Sequence, residues 1–384
     1  MARAGMAAEM RPEDRAIVAP LGFLHGVVHA NLLAIPVFLV VWKSEYAADD
    51  VTLGLLAAVA YACFGLGSVP FGFLADRRAS RTLLLVCGGG IAASLEGIAL
   101  SPSLPVLATA LAGLGLASGI YHPTGLAAIS RIVREQGRGM GWHGMGGSLG
   151  IAFGPAVATL TLTMGWSWRL TVGLLGLLPL IAVALLLGRL VPESIRALPP
   201  AAPPKARTLL TKPYVRMVLV YLFAGFAYQG SLTFLPRFIG LAAFVVALGL
   251  GAIGQVLAGT LADRRRADRI LFALSVGASA LLVLLAVLGP SAAFTVGALA
   301  FGFFLFSLEA LQNTLVTRTV PGGIRGFAFG LTFLSVFGLG SAGAAASGIL
   351  VARGELSALF LTLAAFLTAS GSVALGVGNV TAKG

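Results

Sequence analysis

One charged segment occurs twice in the sequence, and this repeat constrains the fold more than any other feature. Residues 72–81 read GFLADRRASR, and residues 259–268 read GTLADRRRAD. Each copy follows a long apolar stretch, and the aspartates Asp76 and Asp263 are 187 residues apart, about half the chain. We therefore predict a duplicated membrane-embedded half that carries the same loop in each copy.

The composition agrees with a membrane protein. Charged residues make up 10% of the chain, whereas a soluble domain carries about 25%. A membrane-spanning helix needs about 20 mostly apolar residues, and continuous apolar stretches favour helices over the alternating strands of a barrel. We predict an all-α membrane protein with twelve transmembrane helices in two pseudo-symmetric six-helix bundles. The twelve stretches are 16–42, 51–75, 82–100, 104–131, 139–164, 168–190, 214–239, 240–262, 270–289, 292–317, 324–351 and 355–378.

The positions of lysine and arginine predict the orientation. With the amino terminus inside, 22 of the 26 Lys and Arg residues fall on the cytoplasmic side, and only Lys43, Arg169, Arg237 and Arg353 fall on the other. This positive-inside bias predicts a cell inner membrane protein with both termini cytoplasmic. The net charge of +12 then reflects topology and anionic lipid. No Lys/Arg-rich stretch with interleaved aromatic residues occurs, so we exclude nucleic acid as a partner.

A basic, Pro- and Ala-rich segment divides the chain. Residues 192–213 have the composition of a linker, although a short amphipathic helix on the membrane surface is an alternative. The predicted domains are an N-terminal bundle at 1–191, this cytoplasmic linker, and a C-terminal bundle at 214–384. We expect a monomer.

The repeat also aligns residues inside the helices. An offset of 187 pairs His122 in helix four with Glu309 in helix ten, whereas helices one and seven need an offset of 200, which pairs His29 with Gln229. The second copy is therefore about 13 residues shorter between helices seven and eight. Because the sequence there is almost uninterruptedly apolar, we predict that a loop is missing and that the chain breaks near 239–243.

Ionisable residues inside a membrane are costly and generally face a cavity or a partner. Because sites in duplicated transporters lie near the midplane between the halves, we predict that Glu309 and His122 couple proton movement there. A structural hydrogen bond that holds the kink at Pro123 is the alternative for His122. His143 is also interior, whereas Glu96 is expected at a wet rim. The other residues predicted to line the site are His25, His29, Tyr121, Asn31, Tyr228, Gln229, Gln312 and Asn313. For any one polar residue, a hydrogen bond between helices is the alternative.

Two six-helix halves, a basic linker and G-x-L-A-D-R-R after helices two and eight resemble the major facilitator superfamily of transporters. Ala79 or Ser80 stands where that family has glycine. The resemblance implies that the motif latches the cytoplasmic side in the outward-open state, and the alternative is that it only sets topology. The motif residues are Gly72, Asp76, Arg77 and Arg81 in the first copy and Gly259, Asp263 and Arg264 in the second.

Helix five resembles the glycine-proline motif of many exporters in that family. Gly150 and Gly154 are small residues four positions apart, which lets helices approach closely, and Pro155 permits a kink. Ordinary tight packing is the alternative. Residues 119–123, GIYHP, together with His25, resemble the fosmidomycin-resistance branch of drug exporters, although that branch's Asn-Asp pair is absent.

The resemblance implies proton-coupled export of a small organic compound, drug-like or anionic, by alternating access, with protons and membrane lipid as partners. The alternatives are a metabolite importer or uniporter, a non-transporting sensor, and an exporter of a metal or metal complex. The metal alternative depends on His25 and His29, which share a helix face. We expect no enzymatic activity, no cofactor and no resident metal. Cys63 and Cys87 are expected to be packing residues.

Overall fold

The computed structural model describes residues 11–75, 80–133, 136–188, 211–321 and 324–377, and only the backbone at 130–131, 136–141, 256, 259–260 and 263–264. Within these ranges the secondary structure is helical, without a β-strand. The α-helices are α1 (Pro12–Glu45), α2 (Asp50–Ala75), α3 (Ser80–Ala99), α4 (Leu104–Gly119), α5 (Tyr121–Ile132), α6 (Gln136–Thr163), α7 (Trp168–Leu187), α8 (Lys212–Ile239), α9 (Leu241–Arg264), α10 (Ala267–Leu288), α11 (Ala292–Thr319), α12 (Arg325–Phe333), α13 (Ala342–Ala352) and α14 (Leu356–Ala374).

These helices account for the predicted membrane spans. Among the described residues, 11 helical segments are long and apolar enough to cross a membrane, and α9 adds a shorter apolar segment, Leu241–Gln255. The helices α4 and α5 share one span, as do α12 and α13, which are joined by a π-helical turn at Leu334–Gly338 and a 3-10 turn at Leu339–Ser341. The predicted all-α fold class is confirmed.

The predicted fourth span at 104–131 is one helical segment, Leu104–Ile129, with a local irregularity at Ile120. The helix α4 ends at Gly119 and α5 begins at Tyr121, and Ile120 between them keeps helical angles, φ −66° and ψ −33°. Pro123 follows this irregularity, where its missing N–H costs least. The span therefore continues through Tyr121 and His122.

The predicted chain break between the seventh and eighth spans is wrong. The helix α8 ends at Ile239, α9 begins at Leu241, and Gly240 alone connects them. Gly240 has φ +79°, and its N–H donates a 2.9 Å hydrogen bond to the Pro236 carbonyl oxygen. Glycine adopts positive φ at little cost, so one residue suffices to reverse the chain.

The helices form two bundles that meet along α2. Helices α1–α7 pack mainly on one another, as do α8–α14, whereas α2 contacts α12 and α13, and α6 contacts α9. A Cβ atom at Gly54 would lie 2.7 Å from the Ala344 carbonyl oxygen, and one at Gly72 would lie 2.9 Å from the Gly326 carbonyl oxygen. The bundles therefore touch near both ends of α2. The segment 189–210 lies outside the described residues, so the division at 192–213 stays a prediction.

We call the end of the molecule at which α2 and α9 finish, at Ala75 and Arg264, the basic end. At the opposite end, Asp50 of α2 forms ion pairs with Arg237 of α8 and, at 2.7 Å, with Lys43. Arg237 therefore joins the two bundles at this end.

Candidate transport site

A small cavity lies between the bundles, where α1 faces α8, α11 and the segment that begins with α12. Its volume is about 40 Å³, enough for a few water molecules. The described residues that line it are His29, Tyr221, Ala224, Tyr228, Leu305, Phe306, Leu308, Glu309, Gln312, Phe333, Val336 and Phe337.

Glu309 is the only acidic residue among the described lining residues. The Gln255 side-chain amide on α9 donates a 2.7 Å hydrogen bond to Glu309 Oε2. The Ser148 hydroxyl on α6 in turn donates to Gln255 Oε1. An ionised carboxylate is costly within a membrane unless it is paired, and a neutral amide compensates only part of that cost. Glu309 is therefore suited to take up a proton.

Three histidines from the first bundle meet beside this cavity. His25 Nε2 lies 3.1 Å from His122 Nε2 and 3.1 Å from His29 Nε2. His25 Nδ1 lies 3.0 Å from the His143 carbonyl oxygen. Because a carbonyl oxygen can only accept, Nδ1 donates, and the Nε2 atom of neutral His25 carries a lone pair.

His143 and Tyr121 support this cluster from the side of α6 and α5. The rings of His143 and His25 stack with centroids 4.2 Å apart. The Tyr121 hydroxyl donates to the Leu21 carbonyl oxygen and lies 2.8 Å from His143 Nε2. Tyr121 thus joins α5 to α1 and α6, and it is not among the described lining residues of the cavity.

The repeat aligned His122 with Glu309, but the structure places His29 on the cavity wall with Glu309. The His122 ring packs on Phe333 of α12, with centroids 4.2 Å apart, and against Phe64 of α2 at 5.5 Å. His122 is not itself among the described lining residues, and it reaches the cavity wall through Phe333 and through the other histidines.

Three further predicted residues lie at or beside the cavity. Tyr228 and Gln312 line it. Asn313 accepts a 2.7 Å hydrogen bond from the hydroxyl of Tyr221, which also lines the cavity. The second bundle thus contributes most of the polar wall.

Two predicted residues lie elsewhere. The Asn31 side chain donates a 2.9 Å hydrogen bond to the Val27 carbonyl oxygen one turn earlier in α1. Gln229 is fully buried in α8, and its side-chain amide has no hydrogen-bond partner among the described residues. Neither lines the cavity among the residues that the structure describes.

The loop motif is described only in part. Asp76 and Arg77 lie outside the described residues. Only the backbone is described for Gly259, Asp263 and Arg264, so nothing is said of their contacts. Gly72 lies at the contact with α12.

Arg81 binds within the first bundle. It donates hydrogen bonds of 2.8 and 2.9 Å to the Leu186 and Leu187 carbonyl oxygens at the end of α7. These contacts cap α7, and the latch remains a prediction.

The helix-five motif packs α6 against α1. A Cβ atom at Gly150 would overlap the Gly26 carbonyl group, and one at Gly154 would overlap the Ala30 carbonyl group. The helix α6 runs through Pro155 without interruption. This close approach lets the His143 carbonyl reach His25.

Sequence reasoning missed Ser148 and Gln255. Gln255 is the only residue between Leu241 and Gly259 that has a polar side chain. A single polar residue in an otherwise apolar helix could have identified it as a candidate site residue. Ser148 lies within a run of small residues, where packing alone explained its presence.

A second, larger cavity does not bring ionisable and polar side chains together in this way. It is a groove of about 1190 Å³ along α1, α6 and α9, and Arg15 is the only charged residue among its described lining residues. Its walls include the exposed side chains of Trp142, Leu149 and Phe153. The smaller cavity therefore remains the candidate site.

Comparisons with known proteins agree with this architecture. A family model described as Major Facilitator Superfamily matches residues 21–345. The chain is 26% identical over 389 residues to "Uncharacterized MFS-type transporter YfnC" of Bacillus subtilis (strain 168), covering 93% of this chain and 91% of that protein. It is 28% identical over 142 residues to "Probable L-galactonate transporter" of Escherichia coli (strain K12), covering 35% of this chain and 31% of that protein.

Solved structures show the same fold. A bacterial homolog of the human lysosomal transporter Spinster is similar in an inward-facing, unoccupied conformation, with a TM-score of 0.65 and 16% identity over 97% of this chain and 96% of that chain. An inward-facing, occupied conformation gives a TM-score of 0.67 and 15% identity at the same coverage.

Proposed function

The chain belongs to the Major Facilitator Superfamily, and we propose that it is a proton-coupled exporter of a small organic compound that works by alternating access. The observation that carries the proposal is Glu309, an acidic residue that lines a cavity between two bundles. We further propose an inner-membrane monomer with both termini cytoplasmic, which the positive-inside bias supports.

Glu309 carries the proton in this mechanism. When the cavity opens to the outside, a proton neutralises the carboxylate, which lowers the cost of closing the site around it. When the cavity opens to the cytoplasm, the proton leaves and the solute enters. Return of the cavity to the cytoplasmic side requires the proton, so the downhill movement of protons drives the solute out.

The lining favours a neutral or cationic solute. Tyr228, Phe306 and Phe337 present aromatic rings, which attract cations and apolar rings. No Lys or Arg occurs among the described lining residues. Residues 119–123, which resemble the fosmidomycin-resistance branch, support a drug-like compound. The partial similarity to a protein named as a probable L-galactonate transporter keeps an organic anion as the second candidate, which would bind only with Glu309 protonated.

Closure at both ends supports alternating access. A cavity of about 40 Å³ is far below the roughly 300–1,000 Å³ of a drug-sized site, so the bundles must separate to admit a solute. Separation at the basic end breaks the contact at Gly72, and separation at the opposite end breaks the Asp50–Arg237 ion pair. Export, rather than import, rests on the resemblance of the helix-five motif.

A growth screen with and without the gene would first identify a solute. Transport would then be measured in proteoliposomes with an imposed pH gradient. Glu309→Gln is expected to abolish proton-driven transport while solute binding, read as thermal stabilisation, persists. Glu96→Gln is the matched control, because Glu96 is an exposed carboxylate in α3. Unchanged proton-driven transport by Glu309→Gln would refute the proposal.

The direction of solute transport needs a separate measurement. Everted vesicles acidified inside are expected to accumulate the solute. Accumulation only in right-side-out vesicles acidified outside would favour the importer instead.

A further inference from the structure

Three buried imidazole rings of the first bundle direct nitrogen atoms toward one point. The ligand atoms of His25, His29 and His122 all lie within 4.8 Å of one another. Two of the separations between Nε2 atoms are 3.1 Å. His25 and His29 come from successive turns of α1, and His122 from the first turn of α5.

Neutral imidazoles cannot satisfy this arrangement by themselves. His25 donates through Nδ1 to the His143 carbonyl oxygen, so its Nε2 atom offers only a lone pair. If His29 and His122 both present Nε2–H, two hydrogens compete for that lone pair. If both present lone pairs, three lone pairs converge without a donor. A single added proton bridges one pair of nitrogens, whereas a metal ion accepts all three lone pairs at once.

We propose that His25, His29 and His122 form a binding site for a divalent transition-metal ion, with Zn²⁺ as the probe. Imidazole nitrogen suits this class of ion. A Zn–N bond of about 2.0–2.1 Å in tetrahedral geometry places two ligand nitrogens about 3.3 Å apart. Two of the three nitrogen pairs, at 3.1 Å, are close to this separation, and the third pair lies within 4.8 Å. Three protein ligands leave the fourth position for water.

The surroundings of His25 fit metal ligation, and those of His29 and His122 leave the tautomers of both rings free. A metal-bound histidine characteristically donates its other N–H to a carbonyl or carboxylate oxygen, as His25 does to His143. The Nδ1 atoms of His29 and His122 have no hydrogen-bond partner among the described residues. No described contact at Nδ1 therefore holds either ring in the tautomer with hydrogen on Nε2, so both can offer a lone pair to the ion.

The placement of the ligands indicates how the site is used. All three belong to the first bundle, so relative movement of the two bundles leaves the coordination intact. His29 also lines the central cavity, which provides a route for the ion and places its charge at the cavity wall. The sequence had suggested His25 and His29 as part of a metal-export pathway, whereas the structure adds His122 and indicates a resident ion.

Direct binding to the full-length protein tests the proposal. The protein is purified in detergent without a histidine tag, stripped with a chelator and titrated with Zn²⁺ by calorimetry. We expect one equivalent to bind and the melting temperature to rise. His29→Gln and His122→Gln are each expected to weaken binding by more than the about 10–100-fold that loss of an outer-shell partner costs. Glu96→Gln is the control, because Glu96 is an exposed carboxylate in α3 that takes no part in the cluster.

Metal-free melting temperatures identify any variant that does not fold. Co²⁺ provides a readout on the unaltered protein, because tetrahedral coordination by nitrogen produces intense visible absorption bands. Absence of binding and of these bands in the unaltered protein overturns the proposal, as does unchanged Zn²⁺ affinity in folded His29→Gln and His122→Gln. The measurement involves no transport, so its result is independent of the proposed export.

Discussion

Gln255 and Glu309 are joined by a 2.7 Å hydrogen bond from the Gln255 amide to the Glu309 carboxylate. The same amide accepts a hydrogen bond from Ser148 on α6. Because α6 and α9 belong to different bundles, this amide links the cavity carboxylate to the interface that must separate during transport. In the proposed mechanism, one side chain would therefore connect the protonation of Glu309 with the opening of the bundles.

Replacing Gln255 by Leu is expected to slow proton-driven transport by about 10–100-fold. The leucine removes a hydrogen bond to an ionisable group, and such bonds contribute about 1.5–3 kcal/mol. Initial rates in proteoliposomes over a range of pH gradients measure the effect. Ser148→Ala keeps the bond to Glu309 but breaks the link to α6, so a loss is expected here too, whereas Glu96→Gln, at an exposed position in α3, is the control. A wild-type rate for Gln255→Leu at every gradient contradicts the proposed link.

Replacing Asp50 by Asn is expected to favour opening at the end opposite the basic end. The pair with Arg237 is partly exposed, and such pairs contribute about 0.2–1 kcal/mol, so the open population should rise by up to about fivefold. The measurement is thiol labelling of Thr233→Cys, a buried position on α8, in a background without Cys63 and Cys87.

Glu45→Gln is the matched control for Asp50→Asn. It removes a 2.6 Å ion pair with Arg169 at the same end, but both partners lie in the first bundle. Labelling should therefore stay at the level of the unaltered protein. Equal labelling in the two variants would show that the Asp50–Arg237 pair does not hold the bundles closed.

Replacing Gly72 by Ala is expected to lower the melting temperature in detergent. The added methyl group would lie 2.9 Å from the Gly326 carbonyl oxygen, and overpacking of this kind costs about 1–3 kcal/mol. Gly89→Ala is the control, because nothing lies within 4 Å of a Cβ atom there. That change should be neutral or stabilising, since alanine favours helix over glycine by about 1 kcal/mol. A lower melting temperature for Gly89→Ala alone would contradict the proposed contact.

Replacing Arg81 by Gln separates the cap seen in the structure from the predicted latch. Loss of the hydrogen bonds to the end of α7 is expected to cost about 0.3–1 kcal/mol of stability. The transport rate per folded molecule should stay unchanged. Melting temperature and transport are measured on the same preparation. A large loss of transport at an unchanged melting temperature would instead support the latch.

Much of the fold could be predicted from the sequence because a membrane allows few backbone structures. A long apolar stretch must satisfy its backbone hydrogen bonds internally, so it becomes a helix. The prediction that failed, the break near 239–243, rested on comparison between the two copies. The alignment of the two copies predicted a loop between α8 and α9, but one glycine with positive φ makes that turn without a loop.

The site was predicted less completely. The repeat aligns residues by their position along the helix axis, but it does not give the direction in which each side chain points. The structure turns His122 toward His25 and Phe333 rather than into the cavity. Gln255 was missed because a lone polar residue in an apolar helix does not reveal its partner.

The sequence by itself determined the class of molecule: twelve apolar stretches, a repeated charged loop and a one-sided distribution of arginine require a duplicated helical membrane protein. Those properties depend on composition and spacing along the chain. Only the tertiary structure decided that Glu309 shares a cavity with His29, that Gln255 connects it to Ser148, and that three histidines converge. These contacts depend on the rotation, tilt and close approach of helices that are distant in the sequence.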